Sequence, residues 1–192
     1  DGNEVSSKSL NNMMIKLARR GPDSSGQWIS QNIGFGHQRL SIIDLSNHGS
    51  QPMIDEKLNL TLVFNGTIYN YKSLRAQLSK KGYKFFSHSD TEVILKAYHF
   101  WGENCLEYLD GMFAFAIWDS SNQKLFVARD RMGIKPLYFN STSKTFTFAS
   151  NSQALLIQDL DRSINPIALH QQLSLHGVVP APNTIINGIK KL

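Results

Sequence analysis

The sequence holds a single cysteine, Cys105, so an internal disulfide framework is excluded and a reducing compartment, the cytoplasm, is expected. It has no apolar run long enough to cross a bilayer and no signal-peptide pattern, so no membrane partner is expected. It has no basic stripe: the 20 Lys and Arg against 15 Asp and Glu give a formal +5, but they are scattered, which argues against a nucleic-acid partner. The six histidines show no metal-ligand spacing, so no metal is expected. Gly34-x-Gly36 lacks the third glycine and the following helix of a dinucleotide fingerprint. No internal repeat or low-complexity segment is present. What remains is 192 residues, 41% of them hydrophobic, which is enough to bury the core of one domain.

The run Val63-Phe64-Asn65-Gly66-Thr67-Ile68-Tyr69-Asn70 organises the rest of the chain. An apolar strand, Leu60 to Phe64, leads into Asn-Gly and then into a polar, helix-starting segment. Glycine tolerates positive φ and asparagine nearly does, so the pair reads as a turn at the strand's end. Such a turn sets an amide side chain beside a bare backbone N–H, the equipment of an oxyanion hole. A plain hairpin turn is the other reading of the same spacing.

Ser6 or Ser7 is placed to cap a helix whose Leu10, Met13, Met14 and Leu17 recur at helical spacing, and Gly21-Pro22 ends it. Strands are expected at 27–30 and 34–40, the second with glycines where backbones approach closely. Residues 41–55 read as an irregular loop over a site. An amphipathic helix over 71–81, with Leu74 and Leu78 inward, is closed by Gly82. Ser89 with Glu92 forms a capping box ahead of Val93-Ile94-Leu95, which puts Asp90 in a first helical turn where the helix dipole favours a carboxylate. Strands at 112–119, 124–129, 136–140 and 145–149, divided by turn residues, read as an antiparallel meander. Both faces of Phe113 to Trp118 are apolar, so that sheet is expected to be covered on both sides. Asn165-Pro166 starts a last helix, and Val179-Pro180-Ala181-Pro182 reads as an extended exit. The expected class is α+β, packed antiparallel sheets flanked by helices.

Cys105, set among apolar residues at a helix junction, reads as a buried structural thiol. Arg129-Asp130-Arg131 reads as a phosphate fork or as an ion pair at a strand end. Arg39 ends a strand ahead of Leu40-Ser41-Ile42-Ile43, so its guanidinium can face a carboxylate in a pocket, a surface arginine being the plainer reading.

Taken in order, Arg20-Gly21-Pro22-Asp23, Gly34 to Asp44, Phe64-Asn65-Gly66-Thr67-Ile68-Tyr69-Asn70, Ser87 to Glu92, Gly111 to Ala116 and Ala128 to Tyr138 carry a resemblance over essentially the whole chain. It resembles the glutaminase domain of glutamine-hydrolysing asparagine synthetases, a class II amidotransferase of the N-terminal-nucleophile hydrolase group. The resemblance implies a four-layer αββα sandwich and a nucleophilic cysteine at the start of the mature chain. That thiolate attacks the side-chain amide of glutamine and releases glutamate and ammonia through a thioester. It also implies Asn65 and Gly66 as oxyanion donors, Arg39 on the glutamine α-carboxylate and Asp90 on the α-amino group. Leu40, Ser41, Ile42, Ile43 and Thr67 would complete the substrate site. No cofactor is implied in this domain; ATP and Mg2+ are implied for a C-terminal synthetase domain that would receive the ammonia and amidate aspartate. A homodimer is a further implied possibility.

The departures are specific. Thr67 stands where the family usually has glutamate, Arg19 where histidine is common, and Asn151 where glutamate is common. The nucleophilic cysteine is absent from the chain, and Asp1 is expected to begin just past the strand that carries it. The chain as written is therefore expected to hydrolyse no glutamine. Residues 1–178 are expected to be the amidotransferase domain and 179–192 the start of a linker. Two other functions fit the same residues: an amidotransferase with another acceptor, such as a sugar acid, and a non-catalytic glutamine-binding relative.

Overall fold

The computed structural model describes residues 4–192, so the expected strand ahead of Asp1 lies outside the described residues. In chain order the elements are α1 (Ser7–Ile15), β1 (Ser24–Ser30), β2 (Ile33–Arg39), β3 (Met53–Asp55), β4 (Leu60–Ile68), α2 (Tyr71–Lys80) and α3 (Asp90–Trp101). There follow β5 (Gly111–Asp119), β6 (Lys124–Arg129), β7 (Tyr138–Ser141), β8 (Phe146–Ala149), α4 (Ser152–Leu155), α5 (Pro166–Ser174) and β9 (Lys190–Lys191).

Alternation along the two longest strands creates the layers. Leu62 and Phe64 of β4, with Phe113, Phe115 and Ile117 of β5, are buried against Leu74, Leu78, Ile94 and Leu95 of α2 and α3. The alternate residues Val63, Ala116 and Trp118 point the other way, onto Phe35 of β2, with Phe148 of β8 in the same cluster. Each such side chain fully buried contributes about 1.5–3 kcal/mol. The sheet β3-β4-β5-β6 is thus covered on both faces, as the apolar run 113–118 predicts. Beyond the second layer, formed by β1-β2 and β8-β7-β9, Met13 of α1 packs with Ala154 and Leu155 of α4 and Ala149 of β8. A Cβ at Gly36 would stand 2.6 Å from the Met14 sulfur, so a side chain here would make the methionine of α1 shift. The architecture is α+β, a helix–sheet–sheet–helix sandwich.

Five local expectations are corrected. Asn65-Gly66 is not a turn: β4 runs through it, pairing Asn65 with Ala114 and Gly66 with Phe113, because nine consecutive pairs with β5 outweigh local turn preference. The meander breaks after β6, since β7 joins β8 and β9 in another sheet. The break is made by Arg129-Asp130, which is neither a phosphate fork nor an ion pair. Asp130 accepts from the amides of Phe113 (3.2 Å), Ile134 (2.9 Å) and Lys135 (3.0 Å), while Arg129 donates to the carbonyls of Gly133, Lys135 and Leu192. The capping box is only half formed. The Ser89 hydroxyl accepts from Thr91 N–H at 3.0 Å, but Glu92 turns away to the amides of Phe86 and Ser87 and the Ser87 hydroxyl. Finally, the tail at 179–192 is folded onto the domain: Ile189 is buried, and Lys190–Lys191 pairs with Tyr138 and Phe139 of β7.

Candidate active site

The exposed edge of β4 is where the predicted residues meet. β3 pairs only with Leu60 to Leu62, so among the described residues no strand lies beside the next part of that edge. Side chains take its place. Phe64 N–H donates to Gln51 Oε1 at 2.6 Å, its carbonyl accepts from His37 Nε2 at 3.2 Å, and Ile68 N–H donates to Asp90 Oδ2 at 3.0 Å. On the opposite side, Tyr69 N–H donates to the Asp110 carbonyl at 2.7 Å. Backbone groups alternate along a strand, so Gly66 N–H faces the same edge as Phe64 and Ile68, between two donors that are already engaged. A Cβ at Gly66, where φ is +155, would come 2.1 Å from the Met112 carbonyl oxygen, so only glycine fits here. Asn65 is half-buried, and its side-chain amide makes no hydrogen bond among the described residues.

Two buried charges flank this edge. Arg39, 8% exposed at the end of β2, donates from Nη1 to the Ser46 carbonyl at 3.0 Å and from Nη2 to the Asp44 carbonyl. It forms no ion pair among the described residues. Asp90, 4% exposed at the start of α3, likewise has no cationic partner among them. Burial raises its pKa, against hydrogen bonds from Ile68, Thr91 and its own amide and from the Ser89 hydroxyl. Asp44 ties the two sides together: its Oδ2 accepts from His88 N–H at 3.0 Å, two residues before Asp90. Although burial pushes the other way, hydrogen bonds from the Ser46 hydroxyl, Ser46 N–H and His88 N–H, with the charge of Arg39, hold the Asp44 carboxyl below the usual range.

The remaining predicted residues are less enclosed. Leu40 and Ile42 are exposed, Ile43 and Thr67 are half-buried, and Ser41 N–H donates to Asp23 Oδ2 at 2.8 Å. Asn151 is the N-cap of α4, its Oδ1 accepting from Gln153 N–H at 3.0 Å. Cys105 is fully buried, and desolvation followed by the nearby Glu103 charge pushes its thiol up to about 12, so it is no nucleophile. Among the described residues no group of His, Cys, Asp and Glu is arranged to hold a metal.

His37 is the site residue that sequence reasoning passed over. To donate to the Phe64 carbonyl its proton must be on Nε2, which leaves Nδ1 as a buried acceptor with no partner among the described residues. Desolvation lowers its pKa from 6.5 to about 4, despite the Phe64 bond and with help from the Arg39 charge, so the ring is neutral at physiological pH. The only sequence signal was its place two residues before Arg39, on the same face of β2. The unfolded chain therefore binds a proton that the folded chain refuses between about pH 6.5 and 4. This contribution is fully present above 6.5 and is lost as pH falls through that window, by on the order of 3 kcal/mol. Denaturant midpoints measured at neutral pH and near pH 4.5 should lie closer together in His37→Gln than in the parent, because glutamine keeps a donor for Phe64 without the titration. Equal pH slopes in the two proteins would contradict this.

The amino-acid sequence matches the family model of the glutamine amidotransferase domain over residues 1–192. It is 43% identical over 185 residues to glutamine-hydrolysing asparagine synthetase 1 of Bacillus subtilis (strain 168), covering 96% of this chain and 28% of that protein. It is 37% identical over 189 residues to glutamine-hydrolysing asparagine synthetase 3 of the same organism, covering 96% and 30%. The chain thus spans under a third of these relatives. Among solved structures, glutamine phosphoribosylpyrophosphate amidotransferase from B. subtilis superposes with a TM-score of 0.68 at 22% identity, over 81% of this chain and 42% of that one, a likeness of fold. With a family model matched from end to end, the chain belongs to the glutamine amidotransferase domain family.

Proposed function

We propose that this chain is the glutaminase domain of an asparagine-synthetase-like enzyme. The observation that carries the reading is a buried cation, Arg39, and a buried anion, Asp90, each without an ion-pair partner among the described residues, with Asp90 on the β4 edge that carries Gly66. A buried charge left unpaired is costly, and a zwitterionic ligand offers each of them its counter-charge. Free glutamine has that pattern, with an amide to place between the two ends.

In this reading Arg39 takes the α-carboxylate and Asp90 the α-ammonium, which sets the side-chain amide against the β4 edge. A thiolate supplied from outside the described residues adds to the amide carbon. The carbonyl electrons move onto oxygen, where Asn65 Nδ2 and Gly66 N–H donate to it. The oxyanion then collapses and the C–N bond breaks, its nitrogen taking up a proton as it departs so that it leaves as ammonia, and water hydrolyses the thioester to glutamate and returns the thiol. The ammonia would pass to a second, C-terminal domain, whose residues would hold ATP and Mg2+ for the activation of aspartate.

The acceptor is chosen by that second domain, so the test uses the intact enzyme. Supplied with glutamine, ATP, Mg2+ and aspartate, it should form asparagine and glutamate one for one. Glutamate release without asparagine, together with amide transfer to a sugar acid, would replace the aspartate assignment while leaving the glutaminase reading in place. Absence of glutamate release would overturn both.

A further inference from the structure

The sequence feature that the glutamine site does not use is Lys80-Lys81-Gly82-Tyr83-Lys84-Phe85-Phe86, where three lysines interleave with three aromatic rings. In the structure α2 ends at Lys80, Gly82 turns the chain at φ +93, and Tyr83 N–H donates to the Leu78 carbonyl at 3.1 Å. The chain then runs along α3, with the Tyr83 ring edge-on to His99 at 5.7 Å and to Phe100 at 6.1 Å. Facing it is the turn between β3 and β4. The two border an open groove of about 910 Å³, inside the range of small-molecule sites. Asp90 opens α3 and Phe100 lies ten residues on, roughly 15 Å along the helix, so this groove sits at the far end of α3 from the glutamine site.

Its chemistry is lopsided. The floor cation is satisfied: Lys96 is buried and pairs with Asp55, with Glu92 at 3.8 Å. On the rim, Lys57, Lys81 and Lys84 form no ion pair among the described residues, although Lys81 lies over the Phe100 ring at 5.8 Å, and Glu56 is the only carboxylate lining the groove besides Asp55. Between them the rings of Phe86 and Phe100 stay 46% and 41% exposed. Half-exposed rings suit a flat apolar body. Lysine ammoniums are compact point charges that bind phosphate without the geometric fork arginine offers to a carboxylate, and three on one rim suit a ligand with several negative charges.

We infer that this groove binds a nucleoside di- or triphosphate, its base against Phe86 and Phe100 and its phosphates among Lys57, Lys81 and Lys84. The site is independent of the glutaminase reading.

The test is a titration of the isotopically labelled chain with ADP, monitored by amide NMR. Shifts are expected at 57 and 81–86 and not at Arg39 or Asp90. The Lys81→Ala/Lys84→Ala double variant should raise Kd by roughly tenfold or more through lost phosphate contacts. Phe100→Ala should raise it by a similar factor through lost stacking, about what one base on one ring provides. Adenosine and inorganic pyrophosphate alone should each bind at least roughly tenfold more weakly than ADP. Both variants are surface changes whose melting transition checks that the fold is kept. Pyrophosphate binding as tightly as ADP, an unchanged Kd in the lysine variant, or shifts produced by an acidic peptide but not by ADP would each overturn the proposal.

Discussion

Replacing Asn65 by alanine in the intact enzyme lowers kcat for glutamine hydrolysis by roughly 10²–10³, or about 2.7–4 kcal/mol, the range for loss of one oxyanion donor. The Michaelis constant for glutamine changes little, because the amide contact strengthens only as charge develops on the oxygen. Ammonia-dependent synthesis survives, since it bypasses the thioester. The structure makes the competing account, a residue needed only for a turn, easy to separate. Asn65 lies within a strand, its backbone paired with Ala114, and alanine keeps that backbone. Its side-chain amide has no partner among the described residues, so removal orphans no buried group. The melting temperature should therefore stay close to the parent's, as for most substitutions away from cores and hydrogen-bond networks. A fall of both activities together, with a lower melting temperature, would make Asn65 a structural residue. No change in either would remove it from the site.

Replacing Arg39 by glutamine raises the Michaelis constant for glutamine by roughly 10²–10³, from the about 3–5 kcal/mol lost on breaking a buried charge pair. Arg39 has a second task, holding the carbonyls of Asp44 and Ser46, so a loosened loop could weaken binding without any carboxylate contact. A double comparison separates the two. If Arg39 holds the α-carboxylate, the parent enzyme discriminates strongly against an amide lacking that group, and Arg39→Gln loses the discrimination. If Arg39 only clamps the loop, both ligands weaken in parallel and the discrimination persists. Lysine in its place keeps the charge but not the planar fork, and should recover only part of the affinity.

Much of this site was legible because its residues fall at element ends that sequence marks well. Ser89 caps α3 and so fixes Asp90, and the alternation of β2 delivers Arg39. The misreadings share a cause, namely pairing between segments distant in sequence. Asn65-Gly66 has strong turn chemistry, yet it is held extended by Phe113 and Ala114, almost fifty residues away. The sheet change after β6 depends on three amides converging on one carboxylate, which no local pattern displays. Val179-Pro180-Ala181-Pro182 looks like an exit, but Lys190 and Lys191 beyond it find a partner in β7. His37 was invisible for another reason. Its role rests on protonation, which its surroundings set and its residue type does not.

The most direct measurement is calorimetric titration of this chain with three ligands: glutamine, the same molecule without its α-amine (glutaramate), and the same molecule without its α-carboxylate (4-aminobutanamide). Its one thiol, Cys105, is buried and protonated, so glutamine is not consumed during the titration. Glutamine should bind measurably, and each truncated ligand should lose roughly 10²–10³ in affinity, because each leaves Arg39 or Asp90 buried without its counter-charge. Equal affinities for all three would contradict the paired-charge site.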